Sequence, residues 1–133
     1  MKQKKNIVVG LGEIGKPILK LFSKYDLVIG YDVNPKLMNK KRFEQFSSLD
    51  TLFLHICIPF NKKFIKSVIL LIKKFDPDCV VIHSTVKPFT TKKIQEMSSI
   101  PIIYSAVLVF IKECYMILYV IQNFMRLKII HLG

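Results

Sequence analysis

Apolar residues along this chain follow two rhythms, and the rhythms alternate. Ile7-Val8-Val9, Leu27 to Asp32, Thr51 to Ile58, Asp78 to His83 and Pro101 to Ser105 are short runs rich in β-branched and aromatic residues. Most of them are near-continuous in hydrophobicity, the pattern of strands buried on both faces of a parallel sheet. Between them, the residues that follow Gly15 up to Lys24, and those from Phe64 to Phe75, carry apolar positions at helical spacing with lysines on the outer side. Asn34-Pro35 predicts a turn, Lys36 to Lys41 one or two helical turns, and Thr90-Thr91 the cap of a short helix running through Ser98. Strand alternating with helix predicts an α/β fold, a Rossmann-like doubly wound parallel sheet. The pattern covers residues 1–106 and stops before a second half, so the sheet is expected to be incomplete.

Ligands of doubly wound sheets bind at the carboxyl ends of the strands. Four pieces of this chain fall on that edge: Gly10-Leu11-Gly12-Glu13-Ile14-Gly15, Asp32, Ile58-Pro59 and Ser84-Thr85. Gly10 can take the tight turn out of the first strand, Gly12 has no Cβ to obstruct a pyrophosphate, and Gly15 lets the helix lie close on the strand. Free N–H groups and the positive dipole end at the helix start then face the phosphates. Asp32 closes the second strand 22 residues after Gly10, where a carboxylate accepts hydrogen bonds from the ribose hydroxyls of a dinucleotide. Lys36, Lys40 and Lys41 stand close enough to meet a 2′-phosphate, but Asp32 repels one, so NAD is expected rather than NADP. The bland alternative is a glycine turn in an α/β domain that holds no ligand.

With 21 Lys and Arg against 9 Asp and Glu, the formal charge of +12 invites a nucleic-acid partner. The lysines, however, are scattered as pairs at helix ends and on outer helix faces, and only Arg42 and Arg126 are arginines. Base readout leans on arginine and amides, and no ribonucleoprotein or zinc-finger motif is present, so no nucleic-acid partner is expected. Cys57, Cys79 and Cys114 are far apart and read as thiols of a reducing compartment. The basic start is followed by too short an apolar stretch for a secretory signal, which predicts a cytoplasmic location. His55 and His83 fall within or at the end of buried strands and read as core or supporting histidines, and no cluster has the spacing of metal ligands. At 133 residues the chain is expected to hold at most half of a dehydrogenase.

Taken together, G-L-G-E-I-G, the I-C-I-P run from Ile56 to Pro59 and V-I-H-S-T-V-K-P-F-T-T from Val81 to Thr91 resemble the amino-terminal domain of the UDP-glucose/GDP-mannose dehydrogenase family, over about residues 5–106. The resemblance implies an NAD-dependent oxidation of the C6 alcohol of a nucleotide sugar to a carboxylate, by two hydride transfers. It implies that Gly10, Gly12, Glu13, Ile14 and Gly15 hold the pyrophosphate, that Asp32 holds the ribose, and that Pro59, Ser84 and Thr85 line the nicotinamide side. Thr85 matches a threonine that helps order a water or the cofactor, a supporting role in catalysis. The full-length family implies a nucleotide-sugar partner and allows a homo-oligomer. Two departures stand out: Phe89 occupies the place of a glycine in the family's turn, which predicts an altered turn, and the family's catalytic cysteine, lysine and asparagine belong to later domains. This short chain is therefore expected to be inactive by itself. A β-hydroxyacid-type dehydrogenase is the alternative within the same class, and a non-catalytic nucleotide-binding or interaction domain the alternative outside it.

From Val107 onward the pattern changes to a long apolar run broken by Lys112-Glu113, which would be costly in a membrane span, and no membrane partner is expected. Shifting the reading by one base offers another account. Met116-Ile117 then reads Asp and Cys114-Tyr115 reads Leu, and suitable codons for Val109 to Phe124 give I-H-K-R-M-L-Y-D, two freely chosen positions, then R-Y-T-K-F. That resembles the continuation found in some archaeal-type members of the same family, and it predicts that 107–133 is an out-of-frame tail.

Overall fold

The computed structural model describes residues 2–105. The readings made for 107–133, with Cys114, lie outside these residues. Five strands form a single all-parallel sheet in the order β2-β1-β3-β4-β5, with β1 at Lys5–Val9, β2 at Val28–Tyr31, β3 at Thr51–Ile56, β4 at Cys79–Ile82 and β5 at Ile102–Tyr104. The helices are α1 at Gly15–Phe22, α2 at Lys40–Gln45, α3 at Phe64–Phe75 and α4 at Thr90–Ser98. This is an α/β fold, Rossmann-like and doubly wound, and incomplete. No helix among the described residues is long and apolar enough to cross a membrane.

Alternation along the strands sorts the core onto two faces. Ile7 and Val9 of β1 join Leu54, Ile56, Val80 and Ile82 under Phe64, Val68 and Ile72 of α3 and Ile94 of α4. Val8 points the other way, to Ile18 and Phe22 of α1. α1 thus packs on one face and α2, α3 and α4 on the other, and β1 is buried along its whole length. In edge strand β2, Gly30 leaves room for Leu11 and Leu19, since a Cβ there would come within 2.9 Å of both side chains.

The chain runs from β1 to β2 on one side and then returns to place β3 on the other side of β1. The reversal makes the carboxyl end of β1 the topological switch, where such sheets bind their ligands. A register shift between Lys5 and Ile7 is bridged by Asn6, whose Oδ1 accepts from the Phe53 N–H at 3.2 Å.

Two local expectations are corrected. The segment after Asn34 is not one short helix: Asn34 caps a 3₁₀ turn over Pro35–Leu37, and Asn39 caps α2, which runs on to Gln45. Phe43 and Phe46 dock on the main core, which explains the extra turn. Nor do Thr90-Thr91 cap α4. The cap position is Phe89, with no side-chain hydrogen bond, and Thr90 is turned into the interior as the first helical residue.

Candidate functional site

Gly10, Gly12 and Gly15 meet three different surroundings. Gly10 has φ +93°, a conformation that side chains resist, and a Cβ there would stand 2.8 Å from the Cys57 carbonyl oxygen. At Gly15 an added Cβ would fall 1.5 Å from the Gly10 carbonyl oxygen, so the first turn of α1 sits directly against the end of β1. Gly12 is the opposite case, with nothing within 4 Å of where its Cβ would be. Two glycines are required by close backbone packing, and the middle one faces open space.

The start of α1 has no side-chain cap. Its cap residue Ile14 makes no side-chain hydrogen bond, and its first turn holds no acid. The first N–H groups of a helix lack partners within the helix and attract anions. Here the Lys16 N–H already donates to the Gly12 carbonyl at 3.1 Å and the Ile18 N–H to the Ile14 carbonyl at 3.3 Å, and Pro17 has none, so the donors on offer are those of the turn itself, where Glu13 is exposed and Ile14 half-buried.

Asp32 follows β2 directly and is fixed from two sides. Its Oδ2 accepts from the Leu11 N–H at 2.9 Å and its Oδ1 from the Asn34 N–H at 2.8 Å. The first bond ties the end of β2 to the glycine turn. A carboxylate has about four acceptor positions, so each oxygen keeps a lone pair for a further donor. That is enough for a ribose diol.

A cavity of 450 Å³ begins at Gly10 and Asp32 and extends between the strand ends and α3, past Pro59, to Lys74. Its walls are largely apolar, contributed by Val9, Ile58, Phe64 and Leu71. Size and lining are those of a small-molecule site. The α3 residues that face it, Phe64, Ser67, Leu71 and Lys74, recur at helical spacing along one face. That stripe is visible in the sequence, although its pairing with Tyr31 across the fold is not.

Ser84 is buried, and its hydroxyl donates a short hydrogen bond to the Ile58 carbonyl. This brings the ends of β3 and β4 together, with Pro59 and Thr85 exposed beside the link. Of the expected nicotinamide-side residues, Pro59 lines the cavity with Gly10 and Asp32, and Ser84 and Thr85 lie further along the edge.

The histidines are coupled in a way that no local pattern announces. His55 pairs in register with Val81, which places His83 diagonally ahead on the same face. Their rings stack at 5.1 Å with an angle of 17°, and His55 Nδ1 lies 2.9 Å from His83 Nε2. One ring donates and the other accepts. His55 Nε2 has no partner, and His83 Nδ1 lies near the Ser105 backbone without closing a hydrogen bond. Burial pushes His83 down to about 4, partly offset by Ser105, and takes His55 well below its ordinary range, with His83 adding to the effect. Both are core groups held neutral. Burial also pushes the Cys57 and Cys79 thiols up to about 12, so neither supplies a thiolate at neutral pH.

Phe89 departs from the expected altered turn. It keeps the left-handed backbone a glycine would take, at φ 67°, and leaves its ring 80% exposed. Among the described residues no group of three or more metal-binding side chains converges. No protein-family model matches this chain, and no curated protein matches it.

Proposed function

We propose that this chain is the NAD-binding domain of an oxidoreductase whose substrate is a nucleotide sugar. The observation that carries the cofactor half is the open space at Gly12, set between two glycines that the backbone itself requires, in a turn that leads into a helix with no side-chain cap. Gly10, Gly12, Glu13, Ile14 and Gly15 would hold the pyrophosphate, Gly10 by shaping the turn, since its N–H donates to the Tyr31 carbonyl at 2.9 Å, and the others through backbone N–H groups. Asp32 would take the ribose on its remaining lone pairs, and its charge disfavours a 2′-phosphate. Pro59, Ser84 and Thr85 would border the nicotinamide. Bound NAD supplies a hydride acceptor.

The substrate half of the proposal rests on the resemblance of Val81 to Thr91 and of the glycine turn to nucleotide-sugar dehydrogenases. Hydride transfer needs the alcohol carbon held against the nicotinamide. The described residues offer no thiolate for the later covalent step, since Cys57 and Cys79 stay protonated. Oxidation of the sugar would need a second domain to close the site.

Calorimetric titration with NAD tests the cofactor half. A saturable heat is expected for the parent chain. Gly12→Val should abolish it without moving the melting temperature, because the added side chain enters the ligand's space and no protein contact. A parent chain without saturable NAD binding would falsify the reading.

A further inference from the structure

The cavity lining includes a polar group that the dinucleotide reading has not used. Lys74, near the end of α3, reaches back so that its Nζ lies 3.0 Å from the Tyr31 hydroxyl and 4.5 Å from the centre of the Tyr31 ring. Tyr31 is the residue before Asp32, and its ring is itself held edge-on to Phe75 at 5.2 Å and tilted against Phe43 at 5.7 Å. Lys74 and Asp32 are the two charged residues that line the cavity. The ammonium makes no ion pair among the described residues.

We propose that Lys74, anchored by Tyr31, holds the purine base of the dinucleotide and determines the affinity of its adenosine half. The proposal rests on the NAD reading above. With the ribose on Asp32, the base enters the apolar cavity between the strand ends and α3. There its flat faces meet Ile58 and Leu71, and its ring nitrogens reach the floor. A lysine ammonium is a donor with three N–H bonds and no acceptor. One is used by the Tyr31 oxygen, which leaves two for the N1, N3 and N7 ring nitrogens of adenine, which are acceptors, N9 being joined to the ribose. The aromatic group of Tyr31, Phe43 and Phe75 fixes the height at which the ammonium stands, so little side-chain freedom is lost when the base arrives.

The test compares NAD with adenosine, which has no phosphate, by following amide shifts of the parent chain and three variants in NMR titrations. Lys74→Met keeps the apolar stem and is expected to weaken NAD and adenosine by the same factor, about tenfold, as for loss of a hydrogen bond from a charged donor. Tyr31→Phe keeps the ring and its packing and should give a smaller loss. Lys74→Arg should retain most of the affinity. An unchanged affinity for both ligands in a folded Lys74→Met protein overturns the proposal and leaves the NAD site standing. A loss confined to NAD also overturns it, since Lys74 would then serve the phosphates. A parent chain that binds neither ligand removes this proposal together with the NAD reading.

Discussion

At the β1–β2 end of the carboxyl edge the backbone is shaped by missing side chains, whereas at the β3–β4 end it is shaped by large ones. Gly10 and Gly15 let a turn and a helix close on each other, Asp32 has both oxygens partnered, and volume is left open beside them. Over β3 and β4, two stacked histidines fill the interior, Ser84 ties one strand end to the other, and α4 begins at a phenylalanine in a glycine's conformation. The filled half keeps two ring nitrogens without a hydrogen-bond partner and a strained backbone. Strain is therefore concentrated away from the cavity, and the part of the edge that could receive a ligand is the part with least to lose by staying as it is.

Four measurements would break or sharpen this contrast. Gly15→Ala should have the largest effect, because its Cβ would overlap the Gly10 carbonyl and only backbone movement can relieve it. A loss of about 3 kcal/mol or more is expected from denaturant unfolding. The filled half should respond to acid instead. The unfolded chain protonates its histidines near pH 6.5, whereas folded His83 waits until about 4 and folded His55 lies well below its ordinary value. The neutral rings thus favour the fold fully above pH 6.5, and that advantage is lost as pH falls toward 4, by about 3 kcal/mol for His83 alone. Urea midpoints measured at pH 7 and 4.5 should converge in His55→Leu/His83→Leu relative to the parent.

The remaining two effects are smaller. Phe89→Gly relieves a left-handed φ and gives up a ring that is mostly exposed, so a gain of about 1 kcal/mol and a rise of a few degrees in melting temperature are expected. Gly12→Val should change stability least, within about 0.5 kcal/mol, while removing the NAD binding proposed above. A large destabilisation there would mean that the turn is packed as tightly at its middle as at its ends.

What could be read from the chain was whatever the chain repeats locally. The run from Thr51 places β3, and the spacing from Phe64 to Phe75 gives α3 with both its ends, because burial on a sheet imposes a period that a single segment displays. The three glycines and Asp32 were legible for the same reason, each being tied to a nearby strand end. The His55–His83 contact was not, since it depends on the register between β3 and β4. The meeting of Lys74 with Tyr31 depends on how far α3 extends past the end of β2. Phe89 was misread for a different reason: the local preference of a bulky residue yields to the need to start α4 over the sheet, and the exposed ring lets the backbone take the cost. Thr90 follows from that, since its neighbour already occupies the cap position.

The two N–H groups that hold Asp32 also have a kinetic consequence. Leu11 and Asn34 clamp the carboxylate from opposite sides, so the glycine turn and the end of β2 are joined before any ligand arrives. Association with a prebuilt loop involves no slow rearrangement, and its rate is set by diffusion and by the fraction of encounters that arrive well oriented. Changes at the Lys74 end of the cavity should then appear almost entirely in how long the ligand stays.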